Sequence, residues 1–111
     1  FKENVPDTRN TRVVDIVNAL VERGLGCSVV DPEADAENVR ATYGFDLIDR
    51  ADQNAPYDAV IAAVKHRAFT SLFSVEALRA LTVPHRAVLA DVRSLYDPTE
   101  VEAAGIAYWR L

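Results

Sequence analysis

Apolar residues along this chain form helical stripes separated by short continuous runs. The first stripe predicts a helix over 11–23, because its members share the spacing of one helix face: Val13, Val14, Ile16, Val17, Leu20 and Val21. Asn10 or Thr11 can cap the start of this helix, and Gly24 can end it in the left-handed conformation. The stripe is wide, which is typical of a helix packed on a sheet.

Three further helices are predicted downstream. Residues 34–43 form the second, ended by Gly44, and residues 74–81 form the third. The last covers 98–104 and begins after Asp97, a residue type that caps helix N-termini.

Five apolar runs predict strands between and after these helices. The clearest is YDAVIAAV at 57–64, and the others lie at 27–31, 45–48, 87–92 and 106–111. None alternates cleanly between apolar and polar residues, which is typical of parallel strands covered on both faces. We therefore expect an α/β fold with a mostly parallel sheet and helices on both faces, a three-layer sandwich, in one domain over 1–111.

Composition and charge exclude several classes of protein. The chain has 111 residues, half of them apolar, which suffices for a folded domain with its own core. No apolar run approaches the ~20 residues of a membrane helix, and one cysteine forms no internal disulfide, so we expect a cytoplasmic protein. A net charge of −5 without a basic run argues against nucleic-acid binding. His66 and His85 have no metal-ligand spacing, so no metal site is predicted.

The loops before helices and after strands hold the candidate binding residues. The opening loop carries Lys2 and Arg9 ahead of a helix N-terminus, where anions bind favourably, although its cations could equally pair with Glu3 and Asp7. Arg93 follows a predicted strand at the end where parallel sheets bind ligands, and an ordinary exposed arginine is the alternative.

For three other residues, a structural role is favoured over a functional one. Asp31 ends a predicted strand, where a dinucleotide fold would place a ribose-binding acid, but no G-x-G-x-x-G turn is present, so capping of the Pro32 turn is favoured. Cys27 is expected to be a small buried apolar residue. His66 could touch a ligand, but ordinary loop polarity is favoured.

The quoted segments together resemble a known family. FKENVPDTRNTRVVDIV at 1–17, VVDP at 29–32, YDAVIAAVKH at 57–66 and DVR at 91–93 look like the C-terminal, UDP-binding domain of the UDP-glucose/GDP-mannose dehydrogenases. The form FKEN-x-PD-x-RNT is similar to the branch that oxidises UDP-N-acetylhexosamines for bacterial capsule and O-antigen polysaccharides. The resemblance spans essentially the whole chain and implies a Rossmann-like fold.

The resemblance also implies roles for individual residues. Phe1 and Lys2 match the Phe-Lys pair that contacts the nucleotide sugar, and Arg93 matches a basic residue that contacts the same UDP-sugar. Arg9 matches an arginine that reaches the cofactor NAD, which the family binds mainly with a separate N-terminal domain. Many relatives have glycine where this chain has Val92. The family's catalytic cysteine lies in a glycine-rich segment that Cys27 does not match, so no catalytic residue is assigned.

These expectations concern a piece of a longer enzyme. Phe1 is not a methionine, and the family has a strand immediately ahead of the Phe-Lys pair, so we expect the sheet to lack the family's first strand. The parent would be a homodimer or higher homo-oligomer, and this chain alone would have no dehydrogenase activity. The alternative from a different class is a stand-alone α/β regulatory or interaction module that binds a partner through the same loops.

Overall fold

The computed structural model describes residues 12–110 and divides the chain into two compact units, residues 1–51 and 52–111. The described part of the first unit, from residue 12 onwards, contains two helices. Helix α1 covers Arg12–Glu22 and buries Val17, and helix α2 covers Ala36–Tyr43 and buries Val39. The apolar stripe and the left-handed Gly24, with φ 77°, confirm the predicted first helix, although its proposed caps lie outside the described residues.

The two strands predicted in the first unit are wrong. Each contributes only one residue to an isolated parallel bridge, Val29 with Leu47, in which the Ile48 amide donates to the Val29 carbonyl at 2.9 Å. The physical reason lies just after Val29, because the Asp31 carboxylate accepts hydrogen bonds from the amides of Glu33 (2.9 Å) and Ala34 (3.0 Å). This turn bends the chain and stops a ladder from extending.

The second unit contains a parallel three-stranded sheet. Strands β1 (Ala59–Ala62), β2 (Val88–Asp91) and β3 (Ala107–Trp109) lie in the order β1-β2-β3. The register pairs Ala59 with Val88 and Val88 with Ala107. A parallel sheet connected by helices confirms the predicted α/β, Rossmann-like class.

Helices connect the strands of the second unit. After a 3₁₀ turn at Ala51–Asn54 and strand β1, helices α3 (Ala68–Leu72) and α4 (Val75–Leu81) lead to β2. Helix α5 (Pro98–Ala103) leads to β3. Helices α4 and α5 were predicted, and each has a side-chain cap, Ser74 accepting from Ala77 and Asp97 accepting from Thr99. Helix α3 was missed, because five residues contain too few periods to reveal a stripe.

One face of this sheet holds the core. Leu89 of β2 is 1% exposed and packs with side chains from α4, α5 and the turn before β3: Leu78, Val101 and Ile106. The opposite face carries the alternate residues, of which Ile61 and Val88 are more than a third exposed and Trp109 is 55% exposed. Alternation of side chains along each strand produces these two unlike faces.

Two glycines of the first unit allow a direct test of backbone conformation. A Cβ added at Gly44 or at Gly26 would meet nothing within 4 Å, but only Gly44 has a positive φ, of 80°. Gly44→Ala should therefore lower the free energy of unfolding by about 1 kcal/mol, whereas Gly26→Ala should leave it unchanged or raise it slightly. Urea unfolding of both variants measures this contrast, and losses of equal size would contradict it.

Candidate functional site

The carboxyl ends of the three parallel strands lie at one edge of the sheet, where α/β folds bind ligands. We call the residues that follow them, 63–67, 92–96 and 110, the strand-end rim. Each of its three segments carries exposed cationic side chains: Lys65 and Arg67 after β1, Arg93 after β2, and Arg110 after β3. In a chain of net charge −5, this edge is a local concentration of positive charge.

The middle segment of the rim is anchored by a buried carboxylate. Asp91, the last residue of β2, has no exposed surface. Its Oδ1 accepts a hydrogen bond from the Leu95 amide at 2.9 Å, and its Oδ2 accepts from the Tyr96 amide at 2.9 Å and from the Tyr108 hydroxyl at 2.8 Å. Three donors from two elements thus stabilise a charge that would be costly to bury without them.

The loop between Asp91 and Tyr96 is short and tightly bent. The Val92 amide donates to the Ala62 carbonyl at 3.0 Å, which completes the last pair of β1 and β2, Ala62 with Asp91. Ser94 then takes a left-handed conformation with φ 56°, uncommon for a residue other than glycine. Arg93 therefore lies at the tip of a bend whose two ends are both held by hydrogen bonds.

Tyr96 anchors the far end of this loop to helix α3. Its hydroxyl donates to the carbonyl of Phe73, the residue after α3, at 2.7 Å. The ring of Phe73 makes an edge contact with the ring of Phe69, with 5.5 Å between the ring centroids. Beside Tyr96 lies an open groove of about 250 Å³. Its lining is mixed apolar and polar: Phe69, Phe73, Ser74, Val75, Leu95, Tyr96, Asp97 and Glu100.

Burial and the Asp91 charge keep both tyrosines of this cluster protonated. Burial, and secondarily the Asp91 carboxylate, raises the pKa of Tyr96 from 10.0 to about 12. Partial desolvation and the hydrogen bond to Asp91 also raise the pKa of Tyr108. Both hydroxyls therefore remain hydrogen-bond donors above the pH at which an exposed tyrosine loses its proton.

The raised pKa of Tyr96 predicts a stability change at high pH. Above pH 10 the unfolded chain releases the Tyr96 proton, whereas the folded chain keeps it until about pH 12. The free energy of unfolding should therefore decrease as the pH rises from 10 to 12. Tyr96→Phe should be less stable at neutral pH, but its free energy of unfolding should decrease less between pH 10 and 12. Urea unfolding at a series of pH values measures this, and an equally steep decrease in the variant would contradict it.

The structure describes some of the site residues predicted from the sequence and not others. Arg93 lies two residues after the end of β2, at the carboxyl edge of the sheet, and its contact with a ligand stays a prediction. Phe1, Lys2 and Arg9 lie outside the described residues, so their positions relative to Arg93 stay predictions. Asp31 caps its turn as favoured from the sequence.

Two predictions about side-chain environment are wrong. Cys27 is exposed rather than buried, because its segment runs beside a single bridge instead of inside a sheet. Local desolvation nevertheless raises the pKa of its thiol. His66 is 1% exposed and makes an edge contact with the Phe69 ring at 5.1 Å, so it belongs to the interior and not to a polar loop.

Sequence reasoning missed the buried anchor of the Arg93 loop. Asp91 ends an apolar strand, and an acid at that position is a signal that could have indicated a buried, hydrogen-bonded carboxylate. The donors Tyr96 and Tyr108 lie 5 and 17 residues away, and only the fold brings the second of them to Asp91.

The described residues provide neither a metal centre nor a membrane span. Over 12–110, no group of three or more His, Cys, Asp or Glu side chains is arranged to hold a metal ion. Within the same range, every helix is too short or too polar to cross a bilayer.

Comparison with known proteins gives relatives of one kind. Residues 1–98 match the model of the UDP-glucose/GDP-mannose dehydrogenase family, UDP binding domain. A UDP-N-acetyl-D-glucosamine 6-dehydrogenase of Pseudomonas aeruginosa is 40% identical over 97 residues, covering 87% of this chain and 22% of the relative. The enzyme of the same name from Salmonella typhi is 42% identical over 74 residues, 67% of this chain and 17% of its own length.

A third relative is similar over a shorter stretch of the chain. Protein CapL of Staphylococcus aureus is 45% identical over 67 residues, 60% of this chain and 16% of its own. The chain thus spans about a fifth of the length of the curated relatives it matches. Since the family model covers nearly all of the sequence, including the DVR segment that begins at the last residue of β2, the chain belongs to the UDP-glucose/GDP-mannose dehydrogenase family and corresponds to its UDP-binding domain.

Proposed function

We propose that this chain binds the UDP portion of a UDP-N-acetylhexosamine, as one domain of an NAD-dependent 6-dehydrogenase that makes a UDP-uronic acid for bacterial surface polysaccharide. The match of residues 1–98 to the UDP-binding domain carries the proposal. Two relatives at 40% and 42% identity are named for UDP-N-acetyl-D-glucosamine oxidation, which supports the hexosamine branch.

The charge of the strand-end rim is suited to a diphosphate. Arg93 presents a planar guanidinium that can donate two parallel hydrogen bonds to phosphate oxygens, and Lys65 and Arg67 add positive charge along the same edge. We assign Arg93, together with Phe1 and Lys2 of the opening segment, to the UDP-sugar. Specific contacts from several elements would orient the sugar carbon that is oxidised.

The described residues do not fit the main site for NAD. Binding of a dinucleotide in a Rossmann-like fold uses a glycine-rich turn between a strand and a helix, and this sequence contains no G-x-G-x-x-G pattern. We therefore assign NAD mainly to another domain of the enzyme, with Arg9 as this chain's contact to it. The nucleophile that oxidation to an acid requires is likewise assigned to that other part, since Cys27 does not match the glycine-rich segment that holds the catalytic cysteine of the family.

We further propose that the full-length enzyme is a cytoplasmic homodimer or larger homo-oligomer whose ligands are a UDP-sugar and NAD. Neither a nucleic acid nor a membrane is a proposed partner, in keeping with the acidic net charge of −5.

Calorimetric titration of the full-length enzyme with UDP tests the proposed function. We expect saturable binding of UDP, tighter binding of UDP-N-acetylglucosamine or UDP-N-acetylgalactosamine, and competition between UDP and either sugar. Cytidine diphosphate serves as the matched control, because it keeps the diphosphate and ribose but changes the base. Equal affinity for both diphosphates would indicate a general anion site, and no binding of either would favour an interaction module instead.

Lys2 and Arg9 are predicted to affect different ligands. Lys2→Ala in the full-length enzyme should weaken UDP-sugar binding roughly tenfold, as expected for one lost charge-assisted contact, and leave NAD affinity nearly unchanged. Arg9→Ala should show the reverse pattern.

The control for this prediction is ionic strength. A general positive patch would make both variants lose both ligands by similar amounts that shrink at high salt. Titration of each ligand against each variant at two salt concentrations distinguishes the two cases.

A further inference from the structure

The backbone of the loop that carries Arg93 is held in place by hydrogen bonds to a buried carboxylate. The loop after β2 begins at Asp91, whose carboxylate has no exposed surface, and ends at Tyr96. The backbone amide of Tyr96 donates a hydrogen bond to that carboxylate. Within this span Ser94 has φ 56°. A left-handed residue persists only where the surroundings hold it, so the hydrogen bonds to Asp91 maintain the bend that carries Arg93.

Tyr108 extends this anchor to a second strand. Its hydroxyl donates to Oδ2 of Asp91 at 2.8 Å, the same oxygen that accepts the Tyr96 amide. The carboxylate thereby accepts a hydrogen bond from β3 on one side and hydrogen bonds from the loop amides on the other. A carboxylate that accepts hydrogen bonds from fixed donors on two sides leaves the loop few alternative conformations.

From this geometry we infer that Asp91, with Tyr108 behind it, is a positioning residue that sets the direction in which Arg93 leaves the sheet and so determines affinity for the diphosphate of the UDP-sugar. The inference rests on the proposed function, because it requires Arg93 to contact that ligand. Neither Asp91 nor Tyr108 contacts UDP in this arrangement; both act through the loop. A bidentate contact depends strongly on the direction of the guanidinium plane, which makes it sensitive to a small change in loop conformation.

A double-mutant cycle in the full-length enzyme tests this, with UDP as the probe in calorimetric titrations. Asp91→Asn keeps the size of the side chain but places an N–H donor against a backbone amide. It should raise the Kd for UDP roughly tenfold, and Tyr108→Phe, which removes one of three hydrogen bonds, should raise it about threefold. In the Arg93→Ala background, both losses should fall below about twofold, because a positioning residue has no effect once the group it positions is gone.

Two additional measurements support the interpretation of the cycle. Hydrogen exchange of the peptide covering residues 92–96, without ligand, should be faster in both variants than in the unsubstituted enzyme. Asp35→Asn is the matched control, since Asp35 also accepts hydrogen bonds from two backbone amides, those of Glu37 and Asn38. Asn caps a helix N-terminus as well as Asp does, so this change should be tolerated. It should leave UDP affinity unchanged.

The outcomes separate this inference from the proposed function. Equal losses of affinity in the presence and absence of Arg93 would overturn the positioning role alone, as would unchanged affinity in both Asp91→Asn and Tyr108→Phe. If Asp91→Asn does not fold, the Tyr108→Phe arm of the cycle decides. Unchanged UDP affinity in Arg93→Ala itself would contradict the assigned role of Arg93, and the positioning role with it.

Discussion

Replacing Arg93 with alanine in the full-length enzyme should raise the KM for the UDP-sugar by roughly 10- to 150-fold. The side chain lies at the tip of the loop after β2, exposed, at the edge of the sheet where parallel α/β folds bind ligands. A charge-assisted contact to phosphate is worth about 1.5–3 kcal/mol, which corresponds to that range. Steady-state kinetics with the UDP-sugar varied at saturating NAD measures the effect.

Two further variants make the Arg93 result specific. Arg93→Lys should recover part of the loss, because the charge remains while the planar pair of donors is lost. Arg79→Ala is the control: this arginine lies on helix α4, where it forms a weak, exposed ion pair with Glu76 at 4.0 Å, and its loss should leave KM unchanged. An unaltered KM in Arg93→Ala would show that this arginine is only an exposed surface residue.

Truncation of Leu89 should have the largest effect on stability. Leu89 is 1% exposed on the central strand and packs against Leu78, Val101 and Ile106. Leu89→Ala removes buried methyl groups and leaves a cavity, so the free energy of unfolding should fall by about 2–5 kcal/mol. Urea unfolding followed by circular dichroism measures the loss.

The neighbouring residue provides the control for Leu89. Val88 lies on the opposite face of the same strand and is 39% exposed, so Val88→Ala should cost less than about 1 kcal/mol. Similar losses at the two positions would mean that the face carrying Val88 is as well packed as the face carrying Leu89.

Local signals in the sequence predicted every described α-helix except α3, and the strands of the second unit approximately. Gly44 and Asp97 are residues whose backbone or side chain determines a helix end by itself, and both lie where a helix ends or begins in the structure. The predicted strand 57–64 is longer than β1, Ala59–Ala62, because a strand ends where its partner ends and the apolar run does not show that.

Properties that depend on the surroundings of a residue could not be predicted in the same way. The run containing Cys27 has the composition of a buried strand, but without neighbouring strands on both sides it forms one bridge and leaves the thiol exposed. His66 is a polar residue type that is common in loops, but the fold packs its ring against Phe69. Asp91 required the partner Tyr108, which only the pairing of β2 with β3 brings near it.

The position of Trp109 has a practical consequence. It is the only tryptophan in the chain, it lies in the second unit at the end of β3, and more than half of its side chain is exposed. In the isolated chain, an unfolding curve recorded by tryptophan fluorescence therefore reports on residues 52–111, whereas circular dichroism adds helices α1 and α2 of the first unit. If the two curves coincide, the units unfold as one cooperative system; if they separate, each unit has its own stability.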